Sequence, residues 1–438
     1  MKLVKQLCSR NVLFSACVSV LLLVFGYFSN NWPLFSGIDL GLYTGITWVK
    51  RALNNENTEY PGAFFVNTSF DKRLITTYEG EYVDPRVDTT AVNNPKGYTT
   101  ITDRSKLLKF LKLLSQTDYG YVVIDLQFVD ADYDIDSVHN GPQVDKELFS
   151  FIKSMPRCVV ATHKNLKLLD GLEEKAALAD YKSTVTATNF VKYEYLDSIY
   201  ESIPLHVYKE LAKEKRTPIQ YGKHGLVYLE TDATGTQLCQ NCVFLEFSSK
   251  GLPEIGNVQE TGESIFIGEF NYKNMGVDYL YDSEDEAITN LKADMKSLSQ
   301  CDRPVVFIGN ITEDLHDTYA GLQPGVVILY KALDALQKGR HHVSLAHSLL
   351  LFVIYFLIIY FAIREKKVLD ILPNNWRKKH MFCCFILEMT SLTTVYFIVR
   401  LCDILYFHTT TNFFFTLLFL YILKLHTDYK KIYNYENL

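Results

Sequence analysis

The sequence predicts an α/β extracytoplasmic domain with a central, largely parallel sheet, plus four transmembrane helices, one N-terminal and three C-terminal. Three observations lead there. Apolar runs long enough to enter a bilayer are confined to the ends of the chain, and between them short β-rich runs alternate with stretches of helical periodicity. Composition is the third. Of 438 residues, 48% are hydrophobic and 21% charged, a mean that points to an apolar and a polar regime in one chain. The net charge is −6 and no Lys/Arg stripe is interleaved with aromatics, so a nucleic-acid partner is excluded.

The expected divisions are 1–29 for a cytoplasmic stub and anchor, 30–342 for the extracytoplasmic domain, 343–426 for a three-helix transmembrane region and 427–438 for a cytoplasmic tail. Lys2, Lys5 and Arg10 precede the apolar run Val12–Phe28, and no A-x-A-like cleavage site follows it. In the long middle, Ser105–Leu114 has helical spacing and Tyr121–Phe128 reads as a buried strand. Cys158–Ala161, Leu226–Glu230, Val243–Phe247, Ile265–Phe270 and Pro304–Ile308 read as further strands, and Val326–Leu329 as the last. Ala287–Leu298 and Ala332–Gln337 read as helices. The later spans are Val343–Ile363, Met381–Val399 and Phe413–Leu425. Basic residues crowd the N-terminus, the loop Arg364–His380 and the tail (Lys424, Lys430, Lys431). By the positive-inside rule both termini are cytoplasmic and the large domain lies outside, in a multi-pass protein of the inner (plasma) membrane.

The stretch Arg303–Gly339 has a distinctive order: a strand ending in Ile308-Gly309, a loop with Asp317-Thr318, then Pro324-Gly325-Val326 and a helix bearing Ala332 and Leu336. Upstream come Leu107–Leu114, Val123-Ile124-Asp125 with Phe128, and Ile203-Pro204-Leu205. Together these resemble the CHASE type 2 domain, an extracytoplasmic sensory module of bacterial transmembrane receptors, whose usual arrangement is one span, a domain of this kind and about three further spans. The chain departs from that pattern at Tyr319, where the family carries proline, and over Asp130–Gly225. The resemblance implies a sensor or receptor-like protein with an unknown extracytoplasmic ligand. Only a short polar tail follows Leu425, so no cytoplasmic catalytic domain is expected, and output would pass through a membrane or cytoplasmic effector protein or a homo-oligomer. A structural or interaction subunit of a multi-protein envelope complex remains the alternative. An extracytoplasmic hydrolase is the weakest reading, since no G-x-S-x-G or H-E-x-x-H is present. No catalytic residue, metal or cofactor is expected.

The candidate ligand-binding residues are Asp125, Gly309, Asp314, His316, Asp317 and Thr318, because α/β sheets bind ligands at the carboxyl ends of their strands. Cys239 and Cys242 form C-x-x-C between two strands; without a second pair this reads as a small disulfide or a pair of thiols rather than a zinc site. Asp130, Asp132, Asp134 and Asp136, with His139, alternate like a calcium loop, but Gly141 stands at the twelfth position, so a solvated acidic loop is expected. Glu388, inside an expected span, reads as an intramembrane helix contact.

Overall fold

The computed structural model describes residues 10–29, 60–78, 96–128, 141–164, 172–180, 192–196, 201–224, 227–247, 271–318, 321–363, 398–399 and 401–407. In chain order the elements are α1 (Arg10–Ser29), β1 (Ala63–Asn67), β2 (Lys72–Tyr78), β3 (Lys96–Thr102), α2 (Arg104–Leu114), β4 (Tyr121–Asp125), α3 (Gly141–Ser154), β5 (Cys158–Thr162), β6 (Ala176–Leu178) and β7 (Lys192–Glu194). There follow α4 (Ile203–Glu214), β8 (Gln220–His224), β9 (Val227–Asp232), β10 (Gly235–Cys239), β11 (Cys242–Phe244), β12 (Lys273–Asn274), α5 (Met275–Tyr279) and α6 (Glu284–Ser299). The last are β13 (Val305–Gly309), β14 (Leu315–Thr318), β15 (Gly321–Pro324), α7 (Gly325–Gln337) and α8 (Leu345–Ile363).

The central sheet runs β12-β1-β13-β4-β5-β6, and every pairing in it is parallel. Its strands alternate side chains between two buried faces, as the period of two requires. Phe65, Val123, Val159 and Phe307 face α4 and α7. Val66, Ile124, Val160 and Ile308 face α2, α3, α5 and α6. Both faces are covered, which is why these strands are continuous apolar runs. Local chemistry sets the helix starts. Asp103 caps α2 by accepting from Ser105 N and Lys106 N, and Ser202 caps α4 by accepting from Leu205 N, with Pro204 in the first turn.

The structure corrects several expectations. Val326–Leu329 is not a strand but the start of α7. Nearly every residue from Gly325 to Leu336 is buried, because α7 is wedged between the sheet and the β7–β11 ribbon. A helix buried all round loses its amphipathic period, so its apolar run mimics a strand. The chain is also more divided than one sheet. Among the described residues the β8–β10 sheet and three two-stranded ribbons accompany the central sheet, and all of their pairings are antiparallel.

Four transmembrane helices are not borne out either. Among the described residues, no helix is long and apolar enough to cross a membrane. The predicted runs Val12–Phe28 and Val343–Ile363 fall on α1 and α8, which pack together around Leu22, Leu351, Tyr355 and Ile359, with Val399 beside them. Polar groups sit within this contact: Ser15 and Ser19 are buried, Tyr27 Oη lies 2.9 Å from Ser348 Oγ, and His347 Nε2 lies 2.7 Å from Asp403 Oδ1. The pair exposes Leu13, Phe14, Leu21, Leu349 and Val353 on its outer side. The bilayer as partner and the inner-membrane placement are corrected with the spans. Phe413–Leu425, Glu388, Ile265–Phe270, Asp130–Asp136 and all of Met381–Val399 before Ile398 lie outside the described residues.

Candidate metal centre

At the C-terminal end of α7 three side chains converge that the sequence did not single out: Glu230, His341 and His342. Their meeting is arranged by the turn that ends the helix. Gly339 has φ +67°, the left-handed conformation favoured just past a helix end, and its N–H reaches Leu336 O at 2.9 Å. The chain then folds back along β10. Gln240 N donates to His341 O and Val343 N to Leu238 O, each at 2.9 Å, and His342 bridges Cys239 in antiparallel fashion. Because β9 is the hairpin partner of β10, with Glu230 opposite Gln237, the carboxylate and both imidazoles come to one place.

His341 Nε2 lies 2.6 Å from Glu230 Oε2 and His342 Nε2 lies 3.0 Å from Oε1. One ligand atom from each residue falls within 4.8 Å of the others. Tyr221 donates its hydroxyl to Glu230 Oε2, and Tyr208 donates to Oε1 at 3.4 Å. Tyr195 and Tyr208 stand edge-on to the His341 ring, with centroids at 5.5 and 5.7 Å. His341 is fully buried and Glu230 nearly so, whereas the His342 side chain is 25% exposed, so the cluster opens to solvent on the His342 side.

Burial alone would raise the Glu230 carboxyl. Hydrogen bonds from His341, His342 and Tyr221 outweigh it and hold the group well below the usual carboxylate range. Burial lowers His341 and raises Tyr221. At neutral pH the cluster therefore holds an ionised carboxylate and a neutral imidazole, the forms that ligate metals. Two imidazole nitrogens and a carboxylate are a donor set suited to zinc and its neighbours. His341 Nδ1 is buried with no hydrogen-bond partner, so packing by the tyrosines, not a bond at that nitrogen, holds the ring.

The predicted ligand-binding residues lie at the opposite end of α7, about 20 Å away by the rise of a helix of this length. Asp125 and Gly309 are register partners at the carboxyl ends of β4 and β13. Asp314 and His316 join them, with His316 Nε2 2.9 Å from Asp314 Oδ1. Thr318 is buried on β14; the side chain of Asp317 is outside the described residues. No disulfide joins Cys239 to Cys242, and both thiols are buried, the first beside the metal-type cluster and pushed up to about 12 by burial. The signal for the cluster itself was slight. It consisted of an adjacent histidine pair just past a glycine, directly before an apolar run, with the glutamate 111 residues from His341.

No family model, no curated protein and no solved structure matches the chain. The likeness to the CHASE type 2 domain is overturned by that result, and with it the reading as a bacterial sensor or receptor signalling through an effector. The expectation of a chain without a catalytic centre is corrected to a candidate one, since Glu230, His341 and His342 form a group that could hold a metal ion.

Proposed function

We propose that this chain is a metalloprotein in which Glu230, His341 and His342 bind one divalent transition ion of the zinc class, with a coordination position left for water or substrate. The convergence of three ligand atoms within 4.8 Å carries the reading. Structural zinc sites close the shell with four protein ligands, whereas sites with three leave a position open. An ion held there would acidify its bound water or polarise an oxygen of a substrate, the chemistry of metal-assisted hydrolysis. The residues have separate parts. Glu230 supplies the anionic ligand, His341 anchors from the interior, and His342 borders the solvent-facing side. Tyr221 and Tyr208 donate their hydroxyl protons to the carboxylate and hold it in place.

A structural clamp is the second reading, favoured by the backbone bonds that already fasten 341–343 to β10. Elemental analysis of untagged full-length protein tests metal binding: one zinc-class ion per chain is expected, and its loss in Glu230→Gln and His341→Ala. Cobalt substitution separates the two readings. A spectrum that changes on adding azide marks an exchangeable position, and an unresponsive one marks a clamp. Protein that takes up no ion from zinc-supplemented buffer overturns the proposal.

A further inference from the structure

We infer that the crevice at the carboxyl ends of β4 and β13 is a second, separate site, for a hard divalent cation such as Mg2+ or Mn2+, with Asp125 and Asp314 as its protein ligands and Tyr193 hydrogen-bonding to its water shell.

The crevice follows from topology. β4 and β13 are neighbours in the parallel sheet, yet the helix after β13, α7, packs on one face and the next described helix after β4, α3, packs on the other. Where adjacent strands send their connections to opposite faces, an open α/β sheet has a gap at its carboxyl edge. Glycines let neighbouring groups come close here. A Cβ on Gly309 would lie 2.5 Å from Val326 Cγ1, and one on Gly325 would collide with Asp314 Oδ2 and come within 3.2 Å of Asp125 Oδ2. Both carboxyls therefore converge on the first residue of α7.

Two like charges brought together this way repel unless something stands between them. No described residue bonds to the Asp125 carboxyl, which burial and then Asp314 push up to about 8. His316 engages Oδ1 of Asp314, whereas Oδ2 is the oxygen facing Gly325. An independent observation points to the same place. Tyr193, on β7, is fully buried, its hydroxyl has no hydrogen-bond partner, and Asp125 is the charge acting on it most strongly. A phenol in such a position lacks the partner that buried polar groups ordinarily have. A cation carrying water satisfies all three groups, because Mg2+ binds through one or two carboxylates and keeps several waters. The donors are oxygens throughout, which separates this site from the imidazole-rich cluster at the other end of α7.

The test uses full-length Glu230→Gln protein, so that Mn2+ binding at the first cluster does not interfere. Electron paramagnetic resonance is expected to show one Mn2+ bound, displaced by Mg2+, with no directly coordinated nitrogen in the pulsed spectrum. Asp125→Asn and Asp314→Asn should each weaken binding by more than about tenfold, and Tyr193→Phe by less. Failure of the Glu230→Gln chain to bind Mn2+, a coordinated nitrogen, or unchanged affinity in both asparagine variants overturns the assignment. The first and second outcomes are read without the asparagine variants, so the result stands even if those fail to fold. A missing metal at Glu230, His341 and His342 would leave it untouched.

Discussion

Replacing Lys331 by methionine should stabilise this protein at neutral pH. Lys331 lies on α7 with 7% of its surface exposed, its ammonium 4.6 Å from the Tyr60 ring centroid and 5.4 Å from that of Tyr330. Burial lowers it from the ordinary 10.5 to about 8, against an opposing pull from Asp334. Below pH 8 the lysine is charged in both folded and unfolded chains, and the folded state bears the whole desolvation cost. Between about 8 and 10.5 the folded chain sheds the proton while the unfolded chain keeps it, so this group's cost disappears as pH rises. The interval corresponds to about 3 kcal/mol. Loss of the two ring contacts in Lys331→Met offsets about 1 kcal/mol of that, leaving a net gain of about 2 kcal/mol near pH 7. Urea unfolding of both proteins at pH 7 and pH 10, followed by circular dichroism, measures it. Other groups that titrate at high pH, such as Cys158 and Tyr193, are common to both chains and cancel in the difference. The advantage of the variant should shrink to less than about 1 kcal/mol by pH 10, where the folded lysine is neutral and no longer makes cation–ring contacts. An advantage equal at both pH values would refute the reasoning, because it would show that packing and not ionisation sets the effect.

Three further outcomes follow from the same structure. Chelator treatment of the zinc-loaded protein should lower its thermal midpoint, by the equivalent of about 3 kcal/mol when the ion had been present at a hundred times its dissociation constant, and Glu230→Gln should abolish the response. Gly325→Ala should destabilise by about 1 to 3 kcal/mol in denaturant melts, since its methyl group collides with Asp314 at the start of α7; a neutral result would mean the two carboxyls are not held where they stand. Iodoacetamide at pH 8 should label the partly exposed Cys301 but leave Cys158 unmodified until the chain is unfolded, because Cys158 is buried and its thiol is pushed up to about 12; mass spectrometry of the peptides reads this directly.

Elements with a complete local signature are legible in the amino-acid sequence. The period of Ser105–Leu114, begun by a capping Asp103, becomes α2. The β-branched runs at 121–125, 158–162 and 305–309 become strands whose apolar character comes from burial on both faces. Val326–Leu329 misled because a helix enclosed on every side carries no polar stripe to betray its period. The apolar ends misled because hydropathy reports what a segment avoids, water, without saying what it packs against; α1 finds α8. Likeness in the order of short motifs such as Ile308-Gly309 and Pro324-Gly325 misled for a related reason, since strand ends and turns converge on the same few residues in unrelated folds.

Read alone, the amino-acid order shows where the chain is apolar, places the strands at 121–125, 158–162 and 305–309 and the helix at 104–114, and puts Gly309 at a strand end. Tertiary structure decided what those residues meet. Glu230 becomes a neighbour of His341 and His342 only because Gly339 reverses the chain onto β10 and β10 pairs with β9. Asp314 reaches Asp125 only because β13 inserts between β1 and β4 and sends α7 to the opposite face from α3. Local propensity acts over a few residues, whereas both candidate sites are assembled by strand pairings and helix packing between segments far apart in the chain, and nothing in the local sequence encodes those distances.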